Sequence, residues 1–568
     1  MANTATSYNG TVPGPTFMVQ DGRETVVRVL NHGNRTAAMH LHGMWSHSVW
    51  DGWAADELEV GQYKDYYYPN NEGARSIWYH DHAEHHTSVD AYYGQAGVYI
   101  VYDPKEDSLG LPSGKYDIPL ALSDKTYQDN GELVSVEGND INFVGAFIQV
   151  NEQPWPYHEV EPRKYRLRFY DMSVSRPYDL YFVDEDGNWL DFQVIASDSG
   201  LFGHPVTTND LTIGMGERYE VIVDFSGVQG QNITLANKLQ NPAIDDFENT
   251  DKVMRFVVGN KVTDKSNNGD VPKTLNGYLA FPKKDNTSEV DQVFNFQMGG
   301  DATWTINGHV FSDPNSRVLA RPPQGTVELW QLRHTGGPGV HPVHIHLVNL
   351  QVVSRSGGPR GLLPYETAGL KDTVFLQPGE VVNVLAYYGP WNGLYMFHCH
   401  NLVHEDHEML GAFNVTRLEE LGYDFKSTQG YDNPDGQEYH AVDFSANAYE
   451  SDAKHSAVRS LGSLNAYQPA SSLMAAQSSY YAENGEKIAT TAKATPTDSV
   501  APSSAGVGFS SSTTSQALPG FEGLLPTINL IQDLGDLFPR EAATTTSSWQ
   551  TMVKPTASPV TTAAAVQE

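Results

Sequence analysis

The placing of the histidines constrains this chain most. Of 21 histidines, ten fall in four tight groups: His40-Leu41-His42, His80-Asp81-His82, His341-Pro342-Val343-His344-Ile345-His346, and His398-Cys399-His400 followed by His404 and Met409. Side chains alternate faces along a β-strand, so residues i and i+2 project the same way. On strands, each His-x-His therefore presents two imidazoles side by side.

The rest of the sequence supports a strand-built, all-β chain. Segments such as Glu24 to Leu30 (ETVVRVL), Lys164 to Phe169 (KYRLRF), Tyr219 to Phe225 (YEVIVDF) and Val253 to Val258 (VMRFVV) are short, rich in β-branched and aromatic residues, and bounded by Gly, Pro, Asn and Asp. Repeated short strands with such turns imply β-sandwiches. At 568 residues the chain is too long for one core. Composition shifts divide it into a first domain over 1–103, a second over 104–260, a polar linker over 261–286 and a third domain over 287–417. Residues 418–470 read as a docked C-terminal extension, and the Ser/Thr/Ala/Pro-rich stretch 471–568 as a mostly disordered tail. Gly520 to Leu537 is a local apolar exception in that tail, expected to dock or to form a short helix.

Charge and hydropathy exclude some partners. The net charge of −33 repels phosphate backbones, which argues against nucleic acid. No apolar run reaches the length that a membrane-spanning helix requires. Met1 to Gly10 lacks the basic start and apolar stretch of a signal peptide. The sequons at Asn9, Asn34, Asn232, Asn286 and Asn414, with the tail composition, point instead to a secreted or cell-surface glycoprotein whose leader is not in this chain. A single cysteine, Cys399, excludes an intramolecular disulfide.

One His-x-His alone is most often a pair of solvated or core histidines. Four of them offer eight imidazoles without carboxylates, more than one ion needs, and neutral imidazole suits copper, zinc, iron and nickel. Cys399 lies between His398 and His400, so on a strand its sulfur faces away from both, toward His341, His404 and Met409. Two imidazoles, a thiolate and a weak thioether are the ligand set of a blue-copper electron-transfer site. Zinc passes no electrons, and structural zinc stops at four ligands. One backbone segment then links an electron-accepting copper on one face to a copper cluster on the other.

These motifs resemble those of the multicopper oxidase family, which includes laccases, ascorbate oxidase and bilirubin oxidase. HLHG, WYHDH, HPVHIH and HCHNLVHEDHEM match in order and spacing. DYYYPN, QPWP, EPRKYR, IASDSG, PYE and GLKD are similar to the fungal bilirubin oxidase branch, over about residues 7 to 470. The resemblance implies three cupredoxin-like Greek-key sandwiches and four copper ions, with a trinuclear cluster between the first and third domains. It implies type 1 copper on His341, Cys399, His404 and Met409, and type 2 on His40 and His344. The type 3 pair falls on His42, His80, His82, His346, His398 and His400. It also implies proton-relay roles for Asp51 and Glu405, since reducing O2 to water consumes four protons and positioned carboxyl groups can deliver them. His85, His86 and His407 match no ligand position. The donor expected is a small phenolic or aromatic molecule, or a tetrapyrrole, with O2 as acceptor. Met409 as axial ligand implies a middling potential, so that non-phenolic donors would need a mediator.

The chain departs from that branch in two places. Gly339 stands where the bilirubin oxidases carry a tryptophan, two residues before His341. Losing an indole is expected to open the rim of the type 1 site and to favour phenols and aromatic amines over a tetrapyrrole, the alternative being that a different loop fills the gap. The strands that open the family's first sandwich, ahead of the segment resembling Tyr8 to Phe17, have no counterpart here, which predicts an unpaired sheet edge. Two other functions compete: an Fe(II) oxidase of the same fold, and a non-catalytic copper coat or storage protein.

Overall fold

The computed structural model describes residues 6–417 except 140, 239–246, 276–283 and 285–288. It continues with 431–435 and 439–444, isolated positions between 460 and 482, and the backbone of the strand Thr527–Ile531. Strands dominate, with α-helices only at Thr87–Tyr93, Pro364–Thr367 and Leu402–Asp406 among the named elements.

Among the described residues, six sheets form three pairs that follow one another along the chain, the first pair also taking in two strands from the C-terminal part. In the first pair, Gly14–Gln20, Ala96–Tyr102, Arg75–Asp81 and Met39–His42 form one sheet; Val442–Asp443, Gln62–Tyr68, Thr25–Leu30 and Thr527–Ile531 form the other. The middle pair holds a seven-stranded and a six-stranded sheet, and the third pair two five-stranded sheets. Thr25–Leu30 is buried along its whole length, including Arg28. That charge is tolerated because Arg28 makes a two-pronged ion pair with Asp65 on the neighbouring strand, both contacts at 2.6 Å.

Core packing decides where a site can form. One apolar cluster joins Phe17, Val27, Trp50 and Tyr67 of the first sandwich to Phe294, Trp330, Val384 and Phe397 of the third. The middle sandwich has a separate cluster around Leu167, Val221, Ile233 and Phe256. The first and third sandwiches therefore share an interior although the middle one separates them in sequence. The start of the segment read as a linker packs on the middle sandwich: Arg163 donates to the carbonyls of Asp264, Ser266 and Asn267, and Leu275 is buried in its core.

The C-terminal extension docks where it is described. Ser48 donates to the Tyr431 carbonyl at 2.8 Å, the Trp53 indole to Asp435 at 3.0 Å, and His440 to Asp56 at 2.6 Å. Tyr431 and Tyr439 lie 5.1 and 5.2 Å from the Trp50 ring. The bare edge expected in the first sandwich is not found at Thr25–Leu30: Thr527–Ile531 pairs with it antiparallel, inside the apolar stretch of the tail. Most of the extension after residue 444 and most of the tail fall outside the described residues. No helix among the described residues is long and apolar enough to cross a membrane.

Candidate metal centre

Strand pairing brings the four histidine groups together. Met39–His42 runs antiparallel to Arg75–Asp81 with His40 opposite His80, and His341–Ile345 pairs with Gly393–Cys399 with His344 opposite His398. The shared core of the two sandwiches then closes these strand pairs on each other. His40 Nε2 lies 3.4 Å from His344 Nε2, and His398 Nε2 lies 3.2 Å from those of both His82 and His346. The rings of His42, His80 and His400 form a third group, with centroids 5.0 to 5.8 Å apart. All eight imidazoles are buried.

Their hydrogen bonds show which nitrogen faces inward. The Nδ1 atoms of His40, His80 and His344 donate to the carbonyls of Asp51, Asp81 and Asp372 at 2.5, 2.7 and 2.9 Å. His346 Nδ1 donates to Asp51 Oδ2 at 2.7 Å, and His398 and His82 Nδ1 face the two oxygens of Glu405 at 2.9 and 3.3 Å. A neutral imidazole has one donor, so the opposed Nε2 atoms are lone pairs directed at each other. Burial reinforces neutrality, lowering His80, His82 and His398 to about 3. Facing lone pairs in a buried site are satisfied by a cation, and the donor set suits copper.

Cys399 points the other way. Its Sγ lies 3.4 Å from His341 Nδ1 and 3.6 Å from His404 Nδ1, and these two nitrogens are 3.1 Å apart. His404 donates its other ring hydrogen to the Ile141 carbonyl at 2.6 Å, so its Nδ1 is again a lone pair. Burial pushes the Cys399 thiol up, and a thiolate here calls for a bound cation. The Asn401 N–H lies 3.4 Å from the sulfur. Met409 is buried and held at both backbone ends, its N–H on the His404 carbonyl and its carbonyl on the Cys399 N–H. The alternation expected of the His-Cys-His strand is thus present, with sulfur on one side and imidazoles on the other.

Two carboxyl groups adjoin the imidazole cluster. Besides its bonds to His40 and His346, Asp51 has a buried Oδ1 with no hydrogen-bond partner, 3.8 Å from His40 Nδ1, and burial raises its carboxyl well above the usual range. Glu405 is raised to about 7, again by burial. A narrow cavity lined by His82, Glu405, Asp406, Glu84, His85 and Glu408 leads outward from it. Of the histidines that match no ligand position in the motifs, His85 and His407 bond the carbonyls of Asp406 and Val403, and His86 precedes the helix Thr87–Tyr93.

At Gly339 a loop fills the gap. Gly339 has φ +88°, and a Cβ there would lie 2.8 Å from Asn142 Oδ1. Asn142 belongs to the segment before Phe147–Val150 and accepts from Asn401 at 2.8 Å. The rim of the sulfur site is therefore closed by the Ile141–Asn142 loop, not opened. Sequence reasoning gave no role to Ile141, Asn142, His334, Arg218, Asp372 or Thr373. Asp372 lies within the GLKD phrase, but nothing local marks it as touching an imidazole; His334 packs tilted against His341, ring centroids 4.2 Å apart, from seven residues upstream.

Comparison with known proteins agrees with this geometry. Residues 1–106 and 285–419 match two family models, both described as multicopper oxidase. The chain is 50% identical over 426 residues to a bilirubin oxidase from Albifimbria verrucaria, covering 73% of each chain. It is 33% identical over 468 residues to a laccase from Bacillus subtilis, covering 72% of this chain and 90% of that one. The structure of the McoA multicopper oxidase from Aquifex aeolicus superposes with a TM-score of 0.64 at 30% identity, covering 71% of this chain and 89% of the other. The chain therefore belongs to the multicopper oxidase family, with the cupredoxin-like all-β fold and the copper-dependent oxidase activity of its members.

Proposed function

We propose that this oxidase takes single electrons from phenolic, aromatic or tetrapyrrole donors and passes four of them to O2, yielding two molecules of water. Four coppers bound to the chain would accept, store and transfer those electrons. His341, Cys399, His404 and Met409 would hold type 1 copper, His40 and His344 type 2, and His42, His80, His82, His346, His398 and His400 the type 3 pair. The observation that carries the reading is the sulfur–imidazole alternation across His398-Cys399-His400, which puts two donor sets back to back.

The chain's own groups have definite tasks in this scheme. The Ile141 carbonyl and the Asn401 amide meet the outer edge of His404, and Trp304 stacks on its ring at 3.8 Å. These neutral contacts suit an organic donor better than Fe(II), which calls for carboxylates. Asp51 orients His40 and His346, and its raised carboxyl holds a proton beside the cluster. Glu405 does the same beside His82 and His398 and, through its cavity, exchanges that proton with solvent. The domain limits near residues 103, 260 and 417 belong to the same reading. So does secretion, favoured by the exposed Asn34 of an Asn-Arg-Thr sequon; a mass shift on deglycosylation checks it.

Steady-state O2 uptake with a substituted phenol, bilirubin and Fe(II) tests the proposal. Phenol and bilirubin should each drive uptake with one O2 consumed per four electrons. Faster turnover on Fe(II) would favour a metal-ion oxidase, and bound copper without uptake would favour storage.

A further inference from the structure

The middle sandwich supplies none of the imidazoles, yet it reaches them. Arg218, fully buried at the head of its strand Arg218–Asp224, grips both oxygens of Asp372, each at 2.6 Å. Its Nε donates to the carbonyl of Ser76 at 3.0 Å, on the strand that carries His80. Asp198, also of the middle sandwich, accepts the Arg218 N–H at 2.7 Å on one oxygen. On the other it accepts the Asp372 N–H at 3.1 Å, the Thr373 N–H at 3.2 Å and the Lys371 ammonium at 3.0 Å. A two-pronged buried pair of this kind fixes orientation as well as distance.

Asp372 in turn faces two histidines from different sandwiches. Its Oδ1 lies 3.1 Å from His42 Nε2, while its carbonyl accepts His344 Nδ1 at 2.9 Å. Thr373 Oγ1 lies within 3.3 Å of the same two nitrogens. The rings of His42 and His344 stack with centroids 3.6 Å apart and planes 13° from parallel. His42 turns Nε2 to its carboxylate, whereas His82 of the same sandwich turns Nδ1 to Glu405, and the buried Nδ1 of His42 has no hydrogen-bond partner. Gly43, at φ +97°, permits the approach, since a Cβ there would lie 2.6 Å from Arg218 Nη2 and 2.9 Å from Asp372 Oδ2.

We infer that Asp372, clamped by Arg218, is a positioning residue that holds His42 with Nδ1 toward the copper cluster and aligns His344 through its carbonyl. The middle sandwich thereby sets the seam at which the other two meet. This rests on the reading that His42 and His344 bind copper. Carboxylate partners of metal-bound histidines fix the ring's tautomer, and losing one typically weakens metal binding by about 10- to 100-fold.

The test compares Asp372→Asn, Thr373→Val and Lys371→Met as holoproteins. Lys371→Met breaks the same buried network without touching a histidine. Copper per chain during chelator titration and the electron paramagnetic resonance signal of non-blue copper are read alongside the blue absorption band. Asp372→Asn should lose non-blue copper at about 10- to 100-fold lower chelator concentration and shift the resonance, with the blue band kept. Thr373→Val should shift the resonance in the same sense by less, and it serves if Asp372→Asn fails to accumulate. Lys371→Met should lower the melting temperature and leave the resonance as in wild type. Wild-type copper retention and resonance in both Asp372→Asn and Thr373→Val would overturn the inference, as would an equal resonance shift in Lys371→Met. A wild-type protein with no non-blue copper would overturn the functional reading beneath it, and this inference with it.

Discussion

On one face of the strand Gly393–Cys399, a sulfur meets two imidazoles, and the edge of His404 is met by the Ile141 carbonyl and the Asn401 amide. On the other face, eight imidazoles and two raised carboxyl groups are enclosed between two sandwiches. On the proposed function, the first face meets a donor too large to enter, and the second takes O2 and keeps protons within reach. Electrons need a short covalent path between the faces, whereas protons need acids on the second face alone. Substitutions should therefore separate into those that abolish colour and those that abolish turnover with colour intact.

Asp51→Asn probes that separation most sharply. The amide keeps the shape but cannot hold the proton beside His40 and His346, so turnover should fall about 10²- to 10⁴-fold. The blue band should be unchanged in absorption spectra. Equal loss of colour and turnover would erase the distinction between the faces. Glu405→Gln should reduce turnover less, by about 10- to 100-fold. Glu405 is protonated below about 7, so wild-type kcat should decline as pH rises through that value, and the variant should lose this alkaline limb. A pH profile unchanged in shape would remove Glu405 from proton delivery.

The imidazole face should also govern the acid stability of the apoprotein. His80, His82 and His398 are lowered to about 3 in the fold, against about 6.5 when unfolded. The unfolded chain thus binds more protons between these values, so stability should fall as pH drops from about 6.5 toward 3. Calorimetry of copper-free protein checks this, and a flat profile would count against a buried neutral cluster. The smallest effect belongs to the strap that backs the Asp51 turn. Asp435→Ala removes the acceptor of the Trp53 indole and a partly exposed ion pair with Arg317. It should cost about 1 kcal/mol in chemical denaturation with the blue band kept.

Much of this was legible in the sequence because it is local. The i, i+2 spacing at His40/His42 and His398/His400 fixes common faces on a strand, and Cys399 between two histidines must face away from both. The strand-rich, all-β character follows from the same short-range pattern. Long-range contacts left no such trace. Asp372 reaches His42 across 330 residues and Arg218 across 154, so no local period marks either. The open rim expected at Gly339 was wrong for a related reason: Asn142, from the middle sandwich, occupies the space. The bare edge expected in the first sandwich is likewise covered at Thr25–Leu30 by a strand from the far end of the chain.

If one cysteine divides two copper sites, the copper content of wild type and of Cys399→Ser measured side by side should reveal it. Four coppers per chain in wild type and three in the variant, with the blue band gone and the non-blue resonance kept, is the result predicted. Fewer than four in wild type, or a Cys399→Ser protein that stays blue with its full copper complement, would contradict it.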